Sequence, residues 1–222
     1  MPPLAVLVGG PPASGKTALA RALAAHLGAT LLDLDVLTGA LTAVVAELVG
    51  ATDLDDPRLA GVSREARYAT VFDAAADNLA IGNAVVLVAP FTRERRSPAA
   101  FAAAAERLTT AGGVAAAFGP DAASIAADRT ADVGGVEAAG PVGAVVGRGR
   151  PVLVWLRASP ELVRARIIAR AADRDRDKIA DVAAFLERVD FGPPQVDHVP
   201  VDAALPVAAQ VELVVDALRR AP

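Results

Sequence analysis

Residues 4–17 read LAVLVGGPPASGKT, in which an apolar run leads into the pattern G-x-x-x-x-G-K-[ST]. The run Leu4–Val8 predicts a buried strand, because it is short, unbroken and followed by two glycines. Residues Thr17–Leu27 then show helical spacing until Gly28. A strand, a glycine-rich loop and a helix in this order predict a phosphate-binding loop, and a glycine turn without a ligand is the alternative.

The chemistry of this loop comes from its backbone and from two side chains. Backbone N–H groups and a helix N-terminus together attract a phosphate, while Lys16 reaches the β- and γ-phosphate oxygens and the Thr17 hydroxyl binds Mg²⁺. Pro11 and Pro12 have no N–H group, so the donors must come from residues 13–18. The expected nucleotide-binding residues of the loop are Gly10, Ala13, Ser14, Gly15, Lys16, Thr17 and Ala18.

Apolar runs and helical periodicity alternate along the rest of the chain. This alternation predicts an α/β domain whose parallel sheet carries helices on both faces. Ser63 is the expected N-cap of one of the helices. The further predicted strands are 30–32, 84–89, 152–156 and 199–201, and the further predicted helices are 36–49, 63–81, 98–110, 160–172 and 206–219.

The chain of 222 residues is predicted to form one domain, 1–222, interrupted once. Residues 114–149 are rich in alanine and glycine and have no sustained period, so they are expected to be a low-complexity insertion or mobile loop. The sequence leaves two interpretations of this segment: a solvated spacer and a lid over the active site. A lid region is expected at 160–180.

Composition excludes several classes of function. The formal net charge of -4 argues against nucleic-acid binding, and the absence of cysteine excludes a thiolate nucleophile or a cysteine-bound metal. Only His26 and His198 are available for imidazole chemistry. No stretch is long enough to span a membrane and no secretory signal is evident, so a cytoplasmic protein is expected.

Asp33 and Asp35 stand at the end of the second predicted strand. Two alternate residues there can direct one carboxylate towards a metal and the other towards an acceptor hydroxyl. We therefore expect Asp33 to bind Mg²⁺ through water and Asp35 to act as the base or the orienting group of the hydroxyl. The alternative is that both residues cap the following helix.

Arginines follow the third and fourth predicted strands. Arg93 lies in the turn Ala89-Pro90-Phe91-Thr92-Arg93 and is expected to hold an anionic group of the substrate. Arg95 and Arg96 fit a solvated turn equally well. Arg166, Arg170 and Arg174 recur every four residues, so they can close over phosphates or form an ordinary surface ladder with nearby acids.

Two other classes of phosphate-loop protein are disfavoured. A guanine-specific N-K-x-D motif is absent, because neither Asn78 nor Asn83 is followed by lysine. A motor-type ATPase would carry an acidic pair at the end of a hydrophobic strand, whereas the two candidate strands run into Pro90 and Arg157.

These features resemble the small-molecule kinases of the shikimate kinase, gluconate kinase and chloramphenicol phosphotransferase group. The resemblance rests on the glycine-rich loop, the two aspartates, the turn before Arg93 and the pattern Arg170-x-x-x-Arg174-Asp175-x-x-Lys178. It implies a five-stranded parallel sheet of order 2-3-1-4-5, Arg170 and Arg174 as nucleotide-binding lid residues with Arg174 also catalytic, and residues 202–205 beside adenine. The chain departs from the group at Ala13, where many members have glycine, and at Ala89, where several have an acid.

The resulting expectation is transfer of the γ-phosphate of ATP to a hydroxyl of a small metabolite or antibiotic, with Mg²⁺. A nucleotide-binding regulator or slow ATPase without an acceptor is the main alternative, and a toxin-like kinase of nucleotide sugars is a third. The expected partners are ATP and the acceptor, without nucleic acid or membrane, in a monomer or homodimer.

Overall fold

The computed structural model describes residues 3–51, 56–114, 150–170 and 181–220. Most of the predicted insertion and the predicted site residue Arg174 lie outside these ranges, as does Lys178. The strands are β1 (Ala5–Gly9), β2 (Thr30–Asp33), β3 (Val85–Val88), β4 (Val152–Arg157) and β5 (Val199–Asp202). The helices are α1 (Lys16–Leu27), α2 (Leu34–Val49), α3 (Pro57–Ala80), α4 (Pro98–Val114), α5 (Pro160–Arg170), α6 (Val182–Arg188) and α7 (Val207–Arg220).

The five strands form one parallel sheet in the order β2-β3-β1-β4-β5. The central strand β1 pairs with β3 through Leu7 and Leu87 and with β4 through Leu7 and Leu153. This order confirms the arrangement implied by the resemblance. Because all five strands run in the same direction, their carboxyl ends meet at one edge, where the glycine-rich loop leaves β1.

Two apolar layers cover the faces of the sheet. Leu7, Leu87 and Leu153 point to a cluster that includes side chains of α3 and α4. The alternate positions Val6 and Val154 point to a second cluster, which includes side chains of α1 and α7. The central strands β1 and β3 therefore contain no polar side chain, as is usual for parallel strands that are buried on both faces.

The predicted start of α3 at Ser63 is wrong. The helix begins six residues earlier with Pro57 in its first turn, and Asp56 is the cap, since its side chain accepts the Arg58 N–H at 2.8 Å. Ser63 lies buried inside the helix and donates its hydroxyl to the Leu59 carbonyl at 2.7 Å. A serine bonded to the carbonyl four residues back is compatible with a helix interior, and this local bond satisfies it.

The short helix α6 was not expected from periodicity. It is capped by Asp181, which accepts the Ala184 N–H at 3.0 Å, and it buries Phe185 against Val163 and Ile167 of α5. Seven residues are too few for the helical repeat to be evident. Within the ranges that the structure describes, no helix combines the length and apolarity needed to cross a membrane.

Candidate active site

The glycine-rich loop adopts three unusual backbone conformations. Gly10 has φ +154°, Ala13 has φ +55° and Gly15 has φ +98°. A side chain at Gly10 would also collide, because its Cβ would lie 2.8 Å from the Ser14 hydroxyl and 3.0 Å from the Leu156 carbonyl. Glycine at position 10 is thus required by both conformation and space.

The loop ends where α1 begins, at Lys16. The first helical N–H groups are those of Lys16, Thr17 and Ala18, so this end of the helix carries donors towards the loop. The Lys16 ammonium donates to the carbonyls of Gly10 and Pro11 at 3.1 and 2.8 Å. The side chain therefore folds back across the loop, where its charge lies beside the predicted phosphate position.

Thr17 and Asp33 meet at the carboxyl edge of the sheet. The Thr17 hydroxyl donates to Asp33 Oδ2 at 3.0 Å, and the other oxygen, Oδ1, accepts the Asp35 N–H at 3.0 Å. Asp33 consequently caps α2, as the alternative interpretation held, and also contacts the predicted metal-binding hydroxyl.

This oxygen pair fits the requirements of Mg²⁺. Magnesium takes hard oxygen ligands and keeps several of its waters, so one or two protein oxygens are sufficient beside a nucleotide. Among the described residues there is no cluster of three or more acidic or histidine side chains that could hold a metal alone. The Thr17 hydroxyl and the largely buried Asp33 carboxylate are therefore the groups suited to such an ion.

Asp35 is held by a residue that the sequence analysis did not single out. Arg67 of α3 donates to Asp35 Oδ1 at 2.7 Å and, through Nε, to the Thr38 hydroxyl at 2.9 Å. The Arg67 side chain is mostly buried whereas that of Asp35 is 64% exposed, so the carboxylate faces solvent. Arg67 is separated from Asp35 by 32 residues, and only the packing of α3 on α2 brings them together.

The turn after β3 is fixed by aromatic and polar contacts. Phe91 is fully buried at φ +46°, and its N–H donates to the Tyr68 hydroxyl at 2.9 Å. Burial raises the pKa of Tyr68 well above its ordinary value. Arg64 lies 4.3 Å from the centre of the Tyr68 ring and donates to the Thr92 hydroxyl at 3.0 Å. The residues that lead to Arg93 are thus held against α3.

Arg93 is exposed and forms an ion pair with Glu65, another exposed side chain of α3. The structure brings Arg93 to the same strand edge as Asp35, since both follow neighbouring strands, β3 and β2. Its guanidinium has a carboxylate partner, which an anionic substrate group would have to displace or share.

Arg95 and Arg96 differ in exposure: Arg95 is buried, which the solvated turn does not predict, whereas Arg96 is exposed, as that interpretation expects. The buried Arg95 guanidinium lies 4.8 Å from the Trp155 ring and donates to the Gly192 carbonyl at 2.8 Å, and its burial lowers the arginine pKa. Both arginines pair with Asp190. Two hydrogen bonds lower the pKa of Asp190: the one from the Gly192 N–H, which has the larger effect, and the one from the Arg96 side chain. These contacts fasten the segment before β5 to the turn after β3.

The predicted arginine row of α5 separates into different environments. Arg166 points to the glycine-rich loop and donates to the Ser14 carbonyl at 2.8 Å and to the Ala203 carbonyl at 2.7 Å. Arg170 lies exposed at the end of the helix. Arg174 lies outside the described residues, so its predicted roles stay predictions.

The segment after β5, expected beside adenine, is closely organised. Asp202 accepts the Ala204 N–H at 2.8 Å, and Gln210 of α7 donates to the Leu205 carbonyl at 2.8 Å. Through Arg166 this segment is connected to the glycine-rich loop, so two parts of the predicted nucleotide site share one guanidinium.

The fold and the loop together define a P-loop NTPase. The sequence model of a family described as AAA domain matches residues 5–191. That range covers most of the chain, and the protein belongs to this family. Membership implies that the domain binds a nucleotide.

Solved structures with the same fold include kinases. A gluconokinase from Sinorhizobium meliloti 1021 aligns with a TM-score of 0.53 at 17% identity, over 99% of this chain and 93% of that one. A provisionally described kinase from Chloroflexus aurantiacus j-10-fl aligns with a TM-score of 0.53 at 21% identity, over 98% of this chain and 97% of that one. At these identities the likeness establishes the fold alone. A comparison with curated proteins gives no significant match.

Proposed function

We propose that the protein transfers the γ-phosphoryl group of ATP to a hydroxyl of a small molecule. The observation that carries the proposal is the contact series Thr17–Asp33–Asp35, in which the Thr17 hydroxyl donates to one oxygen of the Asp33 carboxylate and the other oxygen accepts the backbone N–H of Asp35, whose own carboxylate is exposed. The series runs from the nucleotide side of the strand edge to its open side. A phosphotransferase needs these groups in this order, because the acceptor must approach the γ-phosphate from the side opposite ADP.

The nucleotide side of the proposed site consists of loop residues. Backbone N–H groups at the start of α1 bind phosphate oxygens, and Lys16 leaves the carbonyls of Gly10 and Pro11 to contact the γ-phosphate. Magnesium, when bound, offsets charge on the phosphate oxygens, and the Thr17 hydroxyl and Asp33 would hold it, directly or through water.

The acceptor side of the proposed site centres on Asp35. Its exposed carboxylate takes the proton of the acceptor hydroxyl as the new O–P bond forms and the bond from the γ-phosphorus to the bridging oxygen of ADP breaks. Arg67 fixes the direction of that carboxylate through the 2.7 Å contact. Arg93, which lies in the turn after β3, supplies a positive charge for an anionic group of the acceptor.

The proposal is tested by incubating the protein with ATP, Mg²⁺ and a panel of metabolites and antibiotics. We expect ATP consumption to rise with one class of hydroxyl compound and the product to gain about 80 Da, the mass of one phosphoryl group. ATP turnover that no acceptor stimulates, across a panel including sugars, nucleotide sugars and aminocyclitols, would instead favour a regulator or slow ATPase. Phosphorylation of a nucleotide sugar would select the toxin-like alternative.

A further inference from the structure

Ala13 occupies a backbone conformation that alanine avoids. Its φ of +55° is left-handed, and among the described residues Phe91 is the other non-glycine residue with positive φ. For an L-residue this region is populated about 5- to 30-fold less than the right-handed one, whereas glycine visits both. Something outside the residue must therefore hold the loop at this point.

The Arg166 guanidinium of α5 is in contact with the same part of the loop. One of its nitrogens, Nη1, lies 3.4 Å from the Ala13 carbonyl oxygen and 2.8 Å from that of Ser14, and Nη2 donates to the Ala203 carbonyl at 2.7 Å. Gly15 lies beside the same guanidinium, since a Cβ built there would be 3.5 Å from Nη1, an ordinary van der Waals distance. Arginine can donate to three carbonyls at once because its donors form a planar fork.

Holding the Ser14 carbonyl also sets the direction of the next N–H group. A trans peptide is planar, and its C=O and N–H point in opposite directions. Since the Ser14 carbonyl is directed at Arg166, planarity requires the Gly15 N–H to point away from the guanidinium. Arg166 thus sets the direction of one of the N–H groups that are expected to bind phosphate.

The side chain of Ala13 reinforces the attachment. It packs at the edge of the apolar cluster formed by Val163, Ile167 and Phe185, of which the first two belong to α5. Both the methyl group and the carbonyl of residue 13 therefore face the same helix. In its left-handed conformation, residue 13 is therefore attached to α5 by both groups.

We propose that Arg166 is the positioning residue of the phosphate-binding loop, supplying from α5 the constraint that keeps Ala13 left-handed. The inference rests on the nucleotide site of the proposed function and extends it. It predicts that residues 13 and 166 are energetically coupled in nucleotide binding, because a glycine at position 13 reaches the same conformation without help.

The test is a double-mutant cycle with MgADP as the probe, measured by calorimetric titration. The four proteins are the wild type, Ala13→Gly, Arg166→Gln and the double variant. We expect Arg166→Gln to weaken MgADP binding about 5- to 30-fold when residue 13 is alanine, and at most about 3-fold when it is glycine. Ala13→Gly provides the second background, and each loss is measured against the parent protein that has the same residue at position 13. Arg164→Gln, an exposed arginine of the same helix, is the matched control and should leave binding unchanged.

A purely structural role is distinguished by the pattern of losses. The contact of Arg166 with Ala203 is the same whichever residue stands at position 13, so its loss would weaken both backgrounds by one factor. Equal losses, or wild-type affinity in Arg166→Gln, would overturn the proposal. If Arg166→Gln fails to unfold cooperatively, Arg166→Lys replaces it, since lysine keeps the charge and stem without the fork.

The outcome is separable from that of the proposed function. Coupled MgADP binding in a protein that phosphorylates no acceptor would refute the transfer reaction and support the positioning role. Phosphoryl transfer to an acceptor without coupling between residues 13 and 166 would support the transfer reaction and refute the positioning role. Absence of MgADP binding in the wild type would refute both.

Discussion

Replacing Asp35 by asparagine separates phosphoryl transfer from nucleotide binding. The change removes a proton acceptor and one ion pair with Arg67, and it keeps the size of the side chain. Since that carboxylate is 64% exposed, the lost pair should destabilise the fold by less than about 1 kcal/mol. The Asp33 contact with the Asp35 backbone N–H is unaffected, because it does not involve the side chain.

We expect Asp35→Asn to bind ATP and Mg²⁺ as the wild type does, since the Asp35 carboxylate contacts neither the loop nor Thr17 in the described structure. Transfer to the acceptor should fall about 10²- to 10⁴-fold, which corresponds to about 2.7 to 5.5 kcal/mol of transition-state stabilisation. Asp33→Asn should instead raise the Mg²⁺ concentration needed for half-maximal activity, because Asp33 contacts the Thr17 hydroxyl.

The assay combines titration of ATP with initial rates of transfer at several Mg²⁺ concentrations. Glu47→Gln is the control, because it neutralises another exposed acid of α2 away from the strand edge. Arg67→Met removes the same ion pair while leaving the carboxylate, so it should reduce transfer less than Asp35→Asn does. Wild-type transfer by Asp35→Asn would refute the reasoning and leave Asp35 as a residue of the first helical turn.

Three further predictions concern the loop, the core and acid stability. Lys16→Ala should abolish ATP binding or turnover, and Lys16→Arg should not restore it, because a planar fork replaces a point charge; turnover at the wild-type rate would contradict the loop assignment. Leu87→Ala should lower the free energy of unfolding by about 2–5 kcal/mol in urea titrations, since Leu87 is fully buried; a loss below about 1 kcal/mol would indicate that the core refills the space. Asp190 has a lowered pKa, so its stabilising contribution is complete above the unfolded value of about 3.9 and is lost as pH falls towards the folded one. Asp190→Asn should therefore be less stable at neutral pH and lose less stability below about pH 4, as measured by thermal unfolding at several pH values, whereas parallel curves for the two proteins would contradict this linkage.

The sequence was sufficient for the sheet and the loop because both depend on local patterns. The unbroken apolar strands required helices on both faces, and the glycines of residues 10–17 required a special turn between β1 and α1. Asp33 and Asp35 could be found for the same reason, since they directly follow a strand. Their proposed roles, like those of the loop residues, remain predictions that the experiments above address.

The residues that sequence reasoning missed make contacts with parts of the chain that are distant in the sequence. Arg67 became relevant only because α3 crosses α2, and Arg166 because it contacts carbonyl groups of the glycine-rich loop. Helical spacing placed Arg166 and Arg170 on one face but could not show that a loop 152 residues earlier approaches that face. Ser63 was misassigned because a serine within a helix and a serine at its start look alike in the sequence.

The central position of β1 determines when the protein can fold during its synthesis. Val6 pairs with Val86 on one side and with Val152 on the other, so β1 is synthesised well before its second neighbour, β4. At about 5 to 20 residues per second, the interval before β4 is made is roughly 7 to 30 s. Throughout that time an apolar strand has an open edge, which is a template for association with other chains. Expression together with chaperones that cover such an edge should consequently raise the yield of folded protein.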